Sequence, residues 1–365
     1  MMLPGWFLEL IPVSGLTLRC PVPHRSVEDA LVTRACPVPE PVAGAAPRRL
    51  LHHLVPSSQT RPLPQHPPTL QLRLVEEQPK NIDPLVLDLV NTKIVERGPP
   101  VQWTDIAGQV SVKATIEEEL VWPILRPGAY TGAGRPPRTI LLFGPRGTGK
   151  TLLSRCISTQ LGSTLLKLSG TTLLSTWKAE AEKILQTVFF VASCRQPAVV
   201  LITEAESMLL ARAGEDVSSL KSQLLSYLDN ISTSSEQNVV IIGTTSRPGS
   251  MDEASHRRFA KRFYISPPDS IARRQILHHA LAQQSCCLSE REMSSLVQHT
   301  ESFTGSELVQ LCQHAGATTL HGLQGQLQPT SYQDLEKAFC KVRPAASQKE
   351  LDLFLEWDKL YGTRH

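Results

Sequence analysis

A glycine-rich segment between a short apolar run and a helical pattern constrains the fold of this chain more than any other feature. The apolar run at residues 140–143 leads directly into Gly144-Pro145-Arg146-Gly147-Thr148-Gly149-Lys150-Thr151, which fits the pattern G-x-x-x-x-G-K-[ST]. A helical pattern follows over residues 152–161 and ends at Gly162. The order strand, loop, helix predicts a phosphate-binding loop, because glycines let backbone N–H groups approach phosphate oxygens.

Two side chains of this loop have chemistry that suits a nucleoside triphosphate. Lys150 can place its cation on the β- and γ-phosphates, and the Thr151 hydroxyl can ligate Mg²⁺. The dipole of the following helix favours an anion at its first turn. We therefore predict ATP and Mg²⁺ as cofactors, with the nucleotide held by Gly144, Pro145, Arg146, Gly147, Thr148, Gly149, Lys150, Thr151 and Leu152.

An acidic residue at the end of a second apolar run is the candidate general base. Residues 198–202 are apolar and are followed by Thr203 and Glu204. A carboxylate at the end of a neighbouring strand can polarise an attacking water, which favours Glu204 as the base. The alternative is that Glu204 only begins the next helix, where the helix dipole favours a carboxylate.

The remaining pattern predicts an α/β domain followed by a small helical one. Four short apolar runs, at 140–143, 165–168, 199–202 and 239–242, are each followed by helical patterning, which is typical of a parallel sheet with helices on both faces. We predict a linker helix within 81–100 (over 83–97), a P-loop α/β domain over 101–268, a helical subdomain over 269–341, and a C-terminal segment over 342–365 with a helix near 350–359.

The first 80 residues have a different composition. Fourteen of the 28 prolines lie there, and Trp6 and Phe7 are the only aromatic residues of the segment. Such a composition predicts a disordered Pro-rich tail, either a linker or a docking segment for a partner. Pro4, Glu9 and Pro12 interrupt the apolar start, which argues against a secretory signal.

Composition excludes several classes of protein. No stretch of about 18 uncharged apolar residues occurs, so a membrane-spanning helix is not expected. The net charge of +3 is too small to indicate a nucleic-acid partner. The 8 cysteines form no CxxC pair, which favours inert thiols in a reduced, intracellular compartment and no zinc site.

Several motifs resemble those of the AAA ATPases that sever microtubules, the group of fidgetin, katanin and spastin. For the group as a whole they are Val101-Gln-Trp-Thr-Asp-Ile-Ala-Gly108 and Phe303-Thr-Gly-Ser-Glu-Leu308. A closer likeness to the fidgetin branch is found in Glu117-Glu-Glu-Leu-Val-Trp-Pro123, Gly144-Pro-Arg-Gly147, Thr244-Thr-Ser-Arg-Pro248 and Glu356-Trp-Asp-Lys-Leu-Tyr-Gly362. The likeness is greatest to the fidgetin branch, and it extends from about residue 83 to residue 362. Members of that branch usually have a longer N-terminal region, which predicts a short isoform or a misplaced start.

The resemblance implies a homo-hexameric ring with nucleotide bound between neighbouring subunits. His256-Arg257-Arg258-Phe259 is similar to the segment whose paired arginines reach the γ-phosphate of a neighbour, so Arg257 and Arg258 are candidate catalytic fingers. Ser175-Thr-Trp-Lys-Ala-Glu180 is similar to the first pore loop, in which Trp177 would grip the substrate chain and Lys178 would attract acidic residues. The implied partners are microtubules, through the acidic tubulin tails.

The chain departs from the family pattern at positions that bear on hydrolysis. Thr203 stands where most members have the Asp that supports Mg²⁺, and Ser246 stands where they have the Asn that orients the attacking water. Thr176, Ala179 and the shortened second pore loop at 214–222 also depart from it. These changes predict weak hydrolysis.

Three functions therefore stay open at this point. The favoured one is an ATP-dependent microtubule-severing enzyme in the cytoplasm and on the cytoskeleton, with the nucleus left open. The second is a nucleotide-binding scaffold subunit with little turnover, which Thr203 and Ser246 favour. The third is an AAA unfoldase with a client other than tubulin.

Overall fold

The structure is a computed structural model that describes residues 82–130, 134–210, 214–234, 237–284, 286, 288–321 and 330–364. The predicted Pro-rich tail at residues 1–80 lies outside the described residues. In the described part of the chain, no helix combines the length and the apolar character that crossing a bilayer requires.

A parallel five-stranded sheet forms the centre of the α/β part, in the order β2-β3-β4-β1-β5. The strands are β1 (Thr139–Phe143), β2 (Thr164–Ser169), β3 (Ala198–Thr203), β4 (Val239–Thr245) and β5 (Lys261–Tyr264). Each of the four predicted apolar runs lies within one of the first four strands. Strand β5 was not predicted as a strand, because its sequence Lys-Arg-Phe-Tyr is too polar to be recognised as a buried run.

Helices cover both faces of this sheet, and further helices follow the last strand in the chain. They are α1 (Pro84–Leu89), α2 (Val110–Ile116), α3 (Trp122–Leu125), α4 (Lys150–Gln160), α5 (Gly170–Ser175), α6 (Ala181–Cys194), α7 (Glu215–Thr233), α8 (Glu253–His256), α9 (Ser270–Ala282), α10 (Glu290–His299), α11 (Gly305–His321), α12 (Tyr332–Ala338) and α13 (Gln348–Tyr361). This arrangement confirms the predicted fold class, a P-loop α/β sheet followed by a helical part.

Alternation along each strand creates two cores, one on each face of the sheet. Leu141 and Phe143 of β1 pack in a core with α6 and α7, whereas Ile140 and Leu142 pack in a second core with α2 and α4. Successive strand residues point to opposite faces, so a short run of apolar residues supplies both cores at once. Burial on both faces explains why these strands read as continuous apolar runs.

Helices α9 to α12 have a hydrophobic core of their own. Leu277, Leu296, Leu308 and Leu335 are fully buried in it. Asp269 begins this part as the N-cap of α9, where its side chain accepts a hydrogen bond from the N–H of Ala272 (2.7 Å).

The linker helix ends earlier than predicted. Helix α1 continues through a π-helical turn (Val90–Ile94), and the chain is extended at Val95, two residues before the predicted end. Val95 forms an antiparallel bridge with Leu166, and the Glu96 N–H donates to the carbonyl oxygen of Leu165 (2.9 Å). The extended linker thus supplies partners to the backbone of edge strand β2, which outweighs its helical propensity.

The C-terminal helix α13 packs back against the sheet. Its Trp357 ring lies 4.4 Å from the ring of Phe143, centroid to centroid, and the ring of Tyr361 contacts His256. The Thr363 N–H donates to the carbonyl oxygen of Arg262 in β5 (2.7 Å). The last of these contacts joins the end of the described chain to β5, the strand that was not predicted.

Candidate functional site

The loop between β1 and α4 owes its shape to three glycines with positive φ angles, Gly144 (146°), Gly147 (81°) and Gly149 (91°). A side chain at Gly144 would collide with the carbonyl oxygen of Ile265, and one at Gly147 would collide with the hydroxyls of Ser306 and Thr304. L-residues rarely adopt these angles, so the loop requires glycine for its backbone as well as for space.

The Lys150 amine lies inside the loop. Its Nζ donates hydrogen bonds to the carbonyl oxygens of Gly144 (2.8 Å) and Pro145 (2.6 Å). Burial lowers the pKa of Lys150 to about 8, Glu206 partly offsets this, and Arg146 lowers the pKa further. The loop therefore holds a cation that lacks full solvation, and a bound anion would stabilise it.

The other predicted nucleotide contacts surround this amine. Thr148 donates from its hydroxyl to the carbonyl oxygen of Pro145 (3.0 Å), which ties the loop to itself. Thr151 follows Lys150 in the first turn of α4, where backbone N–H groups are unpaired and the helix dipole favours an anion. Leu152 is half-buried and packs against the core on the α2 and α4 face.

Glu204, the predicted base, is turned toward the edge strand β2. Its backbone is left-handed (φ 53°), and it is the N-cap residue of the short 3₁₀ turn Ala205–Ser207. Its carboxylate accepts hydrogen bonds from the hydroxyls of Thr171 and of Ser169, the latter at 3.4 Å. Thr203 is turned the same way, because its hydroxyl donates to the carbonyl oxygen of Leu168 (3.5 Å).

Glu206 is a site residue that the sequence reasoning missed. Its residue is 2% exposed, and its Oε1 lies 3.5 Å from Ser246 Oγ and 3.9 Å from Arg247 Nε. Its Oε2 is buried and has no hydrogen-bond partner among the described residues. The available signal was a second carboxylate two positions after Glu204, but its burial follows from the turn after β3, which no sequence pattern specifies.

Ser246 joins this group of residues. It follows the last residue of β4, the strand between β3 and β1, and its hydroxyl donates to Glu206. The structure therefore brings Lys150, Glu206 and Ser246 to the carboxyl ends of neighbouring parallel strands, where α/β folds bind ligands.

Arg257 and Arg258 lie at the opposite end of β1. The hydroxyl of Thr139, the first residue of β1, donates to the carbonyl oxygen of Arg258 (3.2 Å), whereas the phosphate loop follows Phe143 at the other end. Four residue steps of strand separate the two ends by about 13 Å. Arg257 and Arg258 therefore lie at the end of β1 opposite to Lys150 and do not belong to the same site within one chain.

The two arginines also differ in their local contacts. Arg257 is 68% exposed, and among the described residues its ion pair is with Glu253, one turn earlier. Arg258 is held more firmly: its Nε donates to both carboxylate oxygens of Asp229 (3.0 and 3.1 Å), and its Nη1 donates to the carbonyl oxygen of Ala254 (2.7 Å).

Trp177 and Lys178 lie between α5 and α6. The Trp177 ring is half-buried against the core beneath these helices, and Lys178 is exposed in a short 3₁₀ turn that it begins. The segment 214–222, likened to a second pore loop, contributes Gly214 as the N-cap of α7 and then the first turns of that helix.

The amino-acid sequence is similar to those of AAA ATPases, fidgetin proteins among them. Residues 140–267 match the family model of the ATPase family associated with various cellular activities (AAA). The chain is 56% identical to human fidgetin-like protein 2 over 291 residues, which is 79% of this chain and 44% of that protein. It is 47% identical to mouse fidgetin over 300 residues, which is 79% of this chain and 40% of that protein.

A solved structure extends the likeness to three dimensions. The crystal structure of the FIGL-1 AAA domain in complex with ADP matches with a TM-score of 0.73 and 31% identity, covering 78% of this chain and 99% of that chain. The matched part of the chain spans less than half the length of the two curated relatives.

Proposed function

We propose that this chain, which belongs to the AAA family of ATPases and to its fidgetin group, hydrolyses ATP as a ring-shaped hexamer and severs microtubules. The observation that carries the proposal is the Lys150 amine, held inside a glycine loop at the start of α4. A buried cation beside unpaired N–H groups suits the triphosphate of ATP. The FIGL-1 AAA domain, which shares this fold, was solved with ADP.

The site also offers groups for Mg²⁺. The cation takes oxygen ligands, and the Thr151 hydroxyl is such a ligand in the first turn after the phosphate loop. The buried Oε2 of Glu206, which has no hydrogen-bond partner among the described residues, is a further acceptor for water bound to the cation. When bound, Mg²⁺ would neutralise charge on the phosphates. The described residues hold no group of three or more His, Cys, Asp or Glu side chains that could bind a metal ion.

Glu204 is the group we assign to the attacking water. General-base catalysis needs a carboxylate within hydrogen-bond reach of that water. In this structure Thr171 and Ser169 hold the carboxylate on the β2 side, so it must turn toward β4 for hydrolysis. Glu204→Gln should keep ATP binding and lower turnover by about 10²-fold or more.

The position of the arginines supports a ring. Arg257 and Arg258 lie at the end of β1 remote from the phosphate loop of their own chain, so they could reach a γ-phosphate only on a neighbour. An arginine supplied in trans stabilises charge in the transition state and makes hydrolysis depend on assembly. We infer that the protein acts as an assembly of identical subunits, and membership of the AAA family makes a homo-hexamer the assembly that we propose.

Trp177 and Lys178 are the groups we assign to the substrate. An exposed Lys attracts an acidic peptide, and a Trp ring offers a large apolar contact. The tubulin C-terminal tails are acidic, so microtubules are the proposed partner and the cytoskeleton the proposed location. The chain would then pull on these tails through the centre of the ring.

Purified full-length chain on fluorescent microtubules, with ATP, tests this function. Loss of polymer that requires ATP, and that disappears in Lys150→Ala and in Trp177→Ala, is the expected result. The Trp177→Ala variant should still bind ATP, which separates the grip on substrate from the nucleotide site. Intact microtubules together with ATP-driven unfolding of another protein would instead support a different client.

A scaffold with little turnover is the second candidate, and one observation favours it. The Thr203 hydroxyl is neutral and is directed to a β2 carbonyl, and Glu204 is turned toward the same strand. ATP-dependent hexamer formation by both the parent and Glu204→Gln, with equal and negligible turnover, would support this candidate over the severing enzyme.

A further inference from the structure

Neither of the two residues at the end of strand β3, Thr203 and Glu204, directs a negative charge toward the phosphate loop. Thr203 is neutral and donates to the Leu168 carbonyl oxygen. The Glu204 carboxylate accepts hydrogen bonds from Thr171 and Ser169, on the side of β3 away from β4 and β1. A divalent cation beside a bound triphosphate would find no acidic partner in either of them.

Glu206 differs from Thr203 and Glu204 in its position and in its hydrogen bonding. Its Oε1 lies 3.5 Å from Ser246 Oγ, at the end of β4, and so on the side of β3 that faces the phosphate loop. Its Oε2 is buried without a hydrogen-bond partner among the described residues. Leaving a carboxylate oxygen buried and unpaired costs free energy that a bound ligand could recover.

The charges around Glu206 do not satisfy it fully. Arg247 Nε is 3.9 Å from Oε1, and the Arg247 side chain is 70% exposed, so water screens that attraction. The strand register places Glu206 near the loop. Phe143 of β1 pairs with Thr245 of β4, so Ser246 lies next to the start of the phosphate loop at Gly144, and Glu206 contacts Ser246.

We propose that Glu206 is the carboxylate that supports hydrated Mg²⁺ beside bound nucleotide, in place of the acidic residue that position 203 lacks. Mg²⁺ keeps several of its water ligands in nucleotide sites, and a buried carboxylate can accept hydrogen bonds from such waters. Ser246 holds the carboxylate in place through Oε1, which leaves Oε2 for the hydrated cation. This inference rests on the proposed function, since it requires that the loop binds a nucleotide.

The test is the dependence of nucleotide affinity on Mg²⁺, which is a binding measurement and needs no turnover. Fluorescent mant-ATP is titrated into the full-length chain in Mg²⁺ and in EDTA. Glu206→Gln removes the charge at nearly constant volume, and Glu204→Gln is the matched control on the same strand end. Loss of an outer-sphere metal partner typically lowers metal affinity by 10–100-fold, roughly the loss expected here.

The gain from Mg²⁺ is the ratio of the mant-ATP affinity in Mg²⁺ to that in EDTA. In Glu206→Gln this gain should be about 10-fold or more smaller than in the parent, while the affinity in EDTA stays within about threefold of the parent. Glu204→Gln should keep the full gain. Thr203→Asp combined with Glu206→Gln should restore the gain, because it returns a carboxylate to the end of β3. An unchanged gain in Glu206→Gln, or an equal loss of affinity in EDTA, would overturn the proposal.

A second variant tests the proposal if Glu206→Gln does not fold. Thr203→Asp alone should increase the gain from Mg²⁺ by less than about threefold, because Glu206 already supplies a negative charge. The effects of two neighbouring carboxylates on the affinity for one cation are not additive. An increase of tenfold or more would mean that the parent site lacks a carboxylate and would contradict the proposal. Absence of mant-ATP binding by the parent in both conditions would instead refute the proposed function.

Discussion

The backbone N–H of Ser306 donates a hydrogen bond to the carbonyl oxygen of Gly147, at 3.1 Å. Ser306 lies in the first turn of α11, and Gly147 is the central glycine of the phosphate loop. The Cα hydrogen of Gly147 also leaves just enough space for the Thr304 hydroxyl, which a Cβ would approach to 2.7 Å. The helical part of the chain therefore contacts the phosphate loop directly, and the shape of one depends on the other.

Gly147→Ala should damage both stability and nucleotide binding. A left-handed φ costs a residue with a Cβ about 1–2 kcal/mol, and the new methyl group would displace Ser306. We expect the free energy of unfolding in urea to fall by about that amount and mant-ATP affinity to fall about tenfold or more. Gly128→Ala is the control, since a Cβ there meets no atom within 4 Å. Equal behaviour of the two variants would contradict the role assigned to Gly147.

Nucleotide affinity should fall as the pH rises above about 8. Burial lowers the pKa of Lys150 to about 8, so above that pH the empty loop holds a neutral amine, and phosphate binding must restore the proton. Linkage then predicts a loss on the order of tenfold between pH 7.5 and 9. Titration of mant-ATP across this range, with calorimetric proton uptake in two buffers, measures it. A constant affinity without proton uptake would show that the amine stays charged.

The stability of the nucleotide-free protein should change in the opposite direction. The pKa of Lys150 is lower in the folded chain (about 8) than its ordinary value of 10.5, so between these pH values the unfolded chain holds the extra proton. The free energy of unfolding therefore gains a contribution that rises with pH over this window. Lys150→Met should remove that rise, which urea unfolding at pH 7.5, 9 and 10 would detect. The same slope in both proteins would exclude Lys150 as its source.

Thr171→Val should increase ATP turnover. The Thr171 hydroxyl holds the Glu204 carboxylate on the β2 side, and removing this donor leaves the carboxylate free to turn toward β4. We expect kcat to rise about threefold, roughly the effect of one hydrogen bond, with unchanged mant-ATP affinity. Thr171→Ser keeps the hydroxyl and should behave as the parent. Lower turnover in Thr171→Val alone would mean that Thr171 positions Glu204 for catalysis.

The two arginines should not be equally important. Arg257 is the more exposed, and within the described part of the chain its ion pair is with Glu253 one turn earlier, whereas Asp229 and Ala254 hold Arg258. Arg257→Ala should lower kcat by about 10³-fold, the usual effect of an arginine finger, and Arg258→Ala by less. Hexamer formation by both variants, measured by light scattering, is the control. A larger loss in Arg258→Ala would reverse this assignment.

Sequence patterns predicted those helices and strands whose conformation is determined by their own residues. The apolar run before Gly144 and the helix after it were predictable, because burial on both faces requires a continuous apolar strand. Strand β5 was not, since Arg262 and Lys261 make it polar and only its pairing with β1 defines it. The end of the linker helix at Ile94 likewise depends on the contact between Val95 and Leu166, which are 71 positions apart.

The site shows the same division. The glycine spacing identifies the phosphate loop, because the backbone angles that it needs are local. The orientations of Glu204 and Glu206 depend on the left-handed turn after β3 and on residues from β2 and β4. A sequence can therefore indicate that a carboxylate follows the strand, but not which of two carboxylates faces the loop.

The decisive measurement is ATP turnover by the 365-residue chain, with and without microtubules and in parallel with Lys150→Ala. We expect turnover that microtubules stimulate and that Lys150→Ala abolishes, because the Lys150 amine is the buried cation of the phosphate loop. Tight ATP binding with turnover no higher than that of Lys150→Ala, and no response to microtubules, would contradict this expectation.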